Sequence, residues 1–214
     1  MSGFRTHLIG GMAAGGAVAA GTAIFKPALL DPVQLSALFI TGTIGGILPD
    51  LDSDTGKPLS ILFGLISILV PVAFLEDLAQ YFTITPEFLV TYFVICYFII
   101  NFPVCAAVKK ITVHRGIMHS IPFAVLCAQA SFFIFMPSGK SMAMAGAVSM
   151  LAGCITHLVL DELNSIVWKF GCIPVFKNSI GSALKFKSSS LSATFLIYLL
   201  AGLGGVHILN QLAP

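Results

Sequence analysis

The 214-residue chain is 57% hydrophobic and only 9% charged, with a mean hydropathy of +0.98, whereas a soluble domain carries about a quarter of its residues as charged side chains. A soluble globular protein is thereby excluded, and the chain reads as an integral membrane protein. The net charge of +2 is too small to argue for nucleic acid as a partner.

Apolar runs of about 17 to 21 residues are long enough to cross a bilayer as helices. In chain order they lie near 8–24, 33–49, 59–75, 88–106, 119–136, 142–160 and 191–209, seven spans in one integral membrane domain covering 1–214. The expected fold is therefore all-α, a polytopic transmembrane bundle. The first run has some features of a signal peptide, with Arg5 ahead of it and small residues around Ala17–Ala20. It also carries Gly11 and Gly15, and Gly16 and Ala20, at the four-residue spacing that lets membrane helices approach closely, which favours a retained span. Pro71 interrupts the third span and Pro103 the fourth, tolerable where neighbouring helices satisfy the freed backbone groups.

Five cysteines (Cys96, Cys105, Cys127, Cys154, Cys172) form an odd set without a CxxC pair, so no disulfide framework is expected. The loop 161–190 mixes Trp168, Phe170, Ile173, Val175, Phe176 and Phe186 with four lysines, as a chain lying in the headgroup layer would. It either covers a site or guides a lipid headgroup into one, or it is an interfacial anchor.

Seven spans put Arg5, Lys57, Lys109, Lys110, Arg115, Lys169, Lys177, Lys185 and Lys187 on one side and leave Lys26 and Lys140 on the other. Nine against two, counted in short loops, predicts a cytoplasmic N-terminus and an outer C-terminus. Four segments with metal-ligand chemistry share that inner side: His7 at the start of span one, Asp50 and Asp52 after span two, His114 and His119 before span five, and His157 with Asp161 ending span six. Only His207, of the five histidines, lies elsewhere.

His157 and Asp161 are four apart, one turn on one helical face, and read as a ligand pair. In 48-LPDLD-52 the proline and polar residues predict an extended segment, in which alternate residues Asp50 and Asp52 point the same way. His114 and His119, five apart, cannot share a helical face; Gly116 suggests a turn after His114, with Ser120 and Pro122 opening span five and His119 in its first turn, near the positive end of the dipole. Arg115 offers a planar fork to a phosphate or carboxylate. Taken singly, each of these residues reads equally well as an interfacial or capping group; it is their joint placement on one side that points to a site. Imidazole with carboxylate suits Zn²⁺, Mn²⁺ or Fe²⁺ better than Ca²⁺ or Mg²⁺, and paired ions of this kind activate water for displacement at phosphorus.

The order 6-TH-7, 48-LPDLDSDTGKPLS-60, 113-VHRGIMHS-120 and 156-THLVLDELN-164 resembles the YdjM family of bacterial inner-membrane proteins, described as membrane-bound metal-dependent hydrolases, and more remotely zinc-dependent phospholipase C and P1-type nucleases. The resemblance implies a phosphoester hydrolase in the inner membrane and places metal-ligand roles on His7, Asp50, His119, His157 and Asp161, and further on Asp52 and His114. After the HxxxD pair, this chain departs from the family's Thr and Leu-Trp-Pro element with Asn164 and Trp168-Lys169-Phe170.

The expected function is a metal-dependent hydrolase of a phospholipid or lipid-linked phosphate at the cytoplasmic face, of phosphodiesterase-like chemistry. In it a divalent metal, Zn²⁺ first, is the cofactor, Arg115 the phosphate clamp and Asp52 the general base. Two other classes stand beside it: an ion-coupled carrier, which would need polar residues near mid-bilayer and usually an internal repeat, and a non-catalytic protein whose metal only ties helix ends together.

Overall fold

A computed structural model describes residues 3–26, 28–52, 57–106, 118–169, 173–176, 185–187 and 191–213. The chain is helical, with one small antiparallel ribbon, and divides into two compact units, 1–50 with 116–214, and 51–115.

The first unit holds α1 (Phe4–Phe25), α2 (Pro32–Gly45), α5 (Ile121–Phe135), α6 (Lys140–Leu163) and α7 (Leu191–Leu212). Local chemistry sets the starts of two of them. Asp31 accepts from the Gln34 N–H while the Gln34 side chain accepts from the Asp31 N–H, a reciprocal cap ahead of Pro32, which satisfies two of the orphan donors of the first turn. Ser120 accepts from the Phe123 N–H, with Pro122 in the opening turn of α5.

Helix α6 packs on α1, α2 and α5, and α7 packs on α5. The α1–α2–α6 contact is made backbone to backbone. A Cβ at Gly46 would stand 2.6 Å from the Gly11 Cα, and one at Gly45 would stand 2.6 Å from the Met150 carbonyl oxygen. The Ser149 hydroxyl donates to the Leu38 carbonyl at 2.6 Å, tying α6 to α2 in a buried position. Leu30, Leu38 and Met142 form a buried apolar cluster packed by Val18, Ala19, Leu35 and Phe135.

Between α5 and α7 the Gln129 amide donates to the Ala201 carbonyl at 2.8 Å, while its Oε1 is buried with no hydrogen-bond partner among the described residues. Interhelical bonds in membranes contribute about 0.6 kcal/mol on average, and one unsatisfied oxygen offsets such a gain. Gln129→Leu, close in volume, is therefore expected to change stability by less than about 1 kcal/mol, read as a near-unchanged melting temperature in detergent. A drop of many degrees would show that this amide does more than bridge α5 and α7.

The second unit holds α3 (Lys57–Ala79) and α4 (Pro86–Ile99), the latter continuing through a π-helical stretch, Ile100–Val104. Pro103 falls in that widened turn, where a missing N–H is accommodated. Pro71 lies inside α3, and the Tyr92 hydroxyl of α4 donates to its carbonyl at 3.0 Å.

Among the described residues, Phe4–Phe25, Pro32–Asp50, Pro86–Val104, Ile121–Ser138, Lys140–Leu163 and Thr194–Leu212 are long and apolar enough to cross a membrane. Helix α3, 23 residues long with Ile68, Leu69, Val72 and Phe74 exposed, is the remaining one of the seven expected spans. After α6 the chain forms a hairpin, β1 (Ile166–Lys169) pairing antiparallel with β2 (Ile173–Phe176), Val167 opposite Val175. This ribbon stands within the stretch 161–190 that the sequence suggested was a long interfacial loop.

Two local expectations are corrected. The 48-LPDLD-52 segment is a 3₁₀ turn, Leu48–Asp52, and residues two apart on a three-per-turn helix diverge by about 120°. Alternation along an extended chain, the basis for giving Asp50 and Asp52 one direction, is absent from this backbone. His119 precedes the cap Ser120 and so lies just outside the first turn of α5, where the backbone is occupied in a pairing with the chain at Lys185.

Candidate metal centre

Two helices deliver ligand-type residues along stripes of small residues spaced four apart. On α1 the buried face reads His7, Gly11, Gly15; on α6 it reads Ser149, Gly153, His157, Asp161. The small residues bring the backbones together, and the larger polar residues at the ends of the stripes then converge. Asp50 enters from the turn that follows α2, and His119 from the residue before α5.

The resulting cluster is nearly closed to solvent. His7 and His157 are fully buried, Asp161 is 3% exposed and His119 5%. The most open side chain is that of Asp50, at 12%, followed by His119 at 7%. The His7 and His157 rings stack at 3.6 Å between centroids, 15° from parallel, and the His119 ring meets His157 edge-on at 5.3 Å.

All three imidazoles present Nε2 to the same point. His7 Nε2 is 3.2 Å from Asp161 Oδ1 and 3.8 Å from Asp50 Oδ2. His119 Nε2 is 3.4 Å from Asp50 Oδ1 and 3.5 Å from Asp161 Oδ2. His157 Nε2 is 3.6 Å from Asp50 Oδ1, 3.7 Å from Asp161 Oδ2 and 3.4 Å from His119 Nε2. A tetrahedron of nitrogen and oxygen donors at metal distances of about 2.0–2.2 Å has edges of roughly 3.3–3.6 Å. The Nε2-to-carboxylate spacings of 3.2–3.8 Å lie near that edge length. One donor atom from each of His7, Asp50, His157 and Asp161 lies within 4.8 Å of the others, so this group can hold a metal ion.

The orientation of His157 supports the same reading. Its Nδ1 lies 2.7 Å from the Gly46 carbonyl oxygen; because a carbonyl can only accept, Nδ1 carries the proton and donates. In the neutral ring Nε2 is then a lone pair facing two carboxylate oxygens and the His119 Nε2, an arrangement that a bound cation, or a proton donated by His119, would relieve. A divalent ion would also balance the charges of Asp50 and Asp161, two carboxylates whose burial is otherwise costly. The residues present therefore fit a divalent metal.

Of the seven ligand candidates from the sequence, the structure brings five together: His7, Asp50, His119, His157 and Asp161. His114 and Arg115 lie outside the described residues, as does the side chain of Asp52. His207 stands apart on α7, 5.3 Å from the Phe133 ring. Sequence reasoning missed Gly46, whose carbonyl orients His157; its only signal was the Gly45-Gly46 pair, which read simply as part of an apolar span.

No curated protein and no solved structure matches this chain. Its sequence does match the YdjM inner membrane protein family over residues 1–211, nearly its whole length, in keeping with the several helices long and apolar enough to span a membrane, and the chain belongs to that family.

Proposed function

We propose that this protein is a metal-dependent hydrolase of a phosphoester carried on a lipid, acting at the cytoplasmic face of the inner membrane. The observation that carries the reading is the meeting of His7, Asp50, His119, His157 and Asp161, drawn from four separate segments, with Nε2-to-carboxylate spacings of 3.2–3.8 Å.

A divalent ion held there would polarise a phosphoryl oxygen and ease deprotonation of water. The chain's own part is to prepare that site. The Gly46 carbonyl holds the His157 imidazole in one tautomer, the buried His7 ring stacks against it, and Asp50 with His119 forms the more open side, where a substrate oxygen can approach. Arg115 is assigned to a phosphate oxygen and Asp52 to the proton of the attacking water, on their positions in the sequence. The excess of lysine and arginine in the loops on this side supports a cytoplasmic orientation for this end of the first unit.

The test is turnover of phosphatidylglycerol and of bis(4-nitrophenyl) phosphate by the purified protein, with and without a chelator. Chelation is expected to lower turnover by about 10²-fold or more, with recovery on adding Zn²⁺ or Mn²⁺. A folded protein that purifies without metal, or hydrolysis indifferent to chelation, would overturn the reading. The full burial of His7 and His157 favours one other account, a closed structural tie between α1, α2 and α6; there, metal loss would cost stability while no phosphoester is turned over.

A further inference from the structure

A short piece of chain beside the centre carries charge that the centre does not use. The Ile121 N–H donates to the Lys185 carbonyl at 3.0 Å, and Ser120 and Lys185 form an isolated parallel bridge. The Tyr198 hydroxyl of α7 donates to the Phe186 carbonyl at 2.9 Å. Residues 185–187 are thus anchored to the start of α5 and to the first half of α7.

Paired backbones run about 4.8 Å apart, and His119 is the residue before Ser120. Lys185 is therefore a close neighbour of His119, which with Asp50 forms the more open side of the cluster. Lys185 is half-buried and Lys187 exposed, and between them Phe186 is 63% exposed. An exposed aromatic ring between two lysines, on a membrane protein, suits the headgroup boundary: the ring enters the apolar edge while the ammonium groups reach up to phosphates. A free phosphate in water would make use of the lysines and leave the ring without a role. The occupant is thus a phospholipid in the bilayer.

We propose that Lys185-Phe186-Lys187 is a lipid-recognition element that binds the phosphate of an anionic phospholipid and sets its headgroup beside the His7–Asp50–His119–His157–Asp161 centre. The assignment deepens the hydrolase reading by naming the substrate class, and it rests on that reading only for the chemical step after binding.

The test is lipid retention by the delipidated protein in dodecyl maltoside, followed by native mass spectrometry during titration with phosphatidylglycerol, phosphatidylcholine or glycerol 3-phosphate. Phosphatidylglycerol is expected to bind about tenfold more tightly than phosphatidylcholine, and K185Q/K187Q to remove most of that preference. K185R/K187R should keep it, F186S should weaken phosphatidylglycerol, and metal content and melting temperature should be unchanged in all three. The proposal is overturned if K185Q/K187Q retains phosphatidylglycerol like the wild type, or if glycerol 3-phosphate binds as tightly as the lipid. Turnover measured on the same preparations separates the two claims. Hydrolysis with lysine-independent lipid binding rejects this assignment alone; lysine-dependent binding without hydrolysis by the wild type rejects the hydrolase alone.

Discussion

His157→Ala is expected to empty the metal centre, taking the purified protein from about one bound divalent ion per chain to less than a tenth of that. Outer partners of metal ligands typically cost 10–100-fold in affinity when removed, so loss of a donor atom should cost at least about 100-fold, near 2.7 kcal/mol. The imidazole has three roles at once. It points Nε2 at Asp50 and Asp161, stacks on His7, and occupies the Gly46 carbonyl. Asp161→Asn separates chelation from packing, because the amide keeps the shape and loses the charge. It should lose metal with less loss of stability. Elemental analysis and competition with a chromophoric chelator read both variants, with His207→Ala as a control expected to keep its metal. Wild-type metal content in both His157→Ala and Asp161→Asn would mean that the cluster is not where the ion binds.

Gly46→Ala is expected to lower the melting temperature by about 3–10 °C, from an overpacking cost of about 1–3 kcal/mol spread over a chain of this size. The new methyl would stand 2.6 Å from the Gly11 Cα and 2.8 Å from the His7 carbonyl oxygen, both backbone atoms that cannot rotate away. The conformation itself is no obstacle, since Gly46 lies at φ −66°, ψ −13°, where alanine is at ease. The whole effect therefore comes from pushing α1 off α2. As α1 carries His7 and Gly46 orients His157, metal affinity should fall with stability, by about tenfold or more. Gly21, where an added methyl would meet nothing within 4 Å, is the matched control: Gly21→Ala should be neutral or slightly stabilising, because alanine favours a helix by about 1 kcal/mol over glycine. A Gly46→Ala protein that melts with the wild type and holds its full metal would show that α1 and α2 have slack the close contact denies.

The helices were legible in the sequence because transfer into lipid is a sum of local side-chain terms, and long apolar runs announce themselves. Their ends were less so. The start of α1 at Phe4 brings His7 into the helix, ahead of the apolar run that marks the span, because a helix continues into the interface after hydrophobicity has faded. The 48-LPDLD-52 stretch misled for a related reason. Proline and carboxylates signal the end of a helix, and they do not say whether the chain then extends or tightens into a 3₁₀ turn. For His119 the cap at Ser120 was readable, and the pairing of Ser120 with Lys185, some 65 residues later in the chain, was not.

His157 with Asp161 was the one part of the centre that sequence spacing alone defined, since a four-residue step is one helical turn whatever surrounds it. The sequence by itself determined that this is a helical membrane protein carrying imidazoles and carboxylates at several helix ends. Only the tertiary structure decided that His7, Asp50, His119, His157 and Asp161 face one point, and that Gly46 orients one of them. Hydrophobicity and helical period act over neighbouring residues, whereas that meeting depends on how closely the α1, α2 and α6 backbones approach at Gly11, Gly46 and Gly153, a contact between segments far apart in the chain.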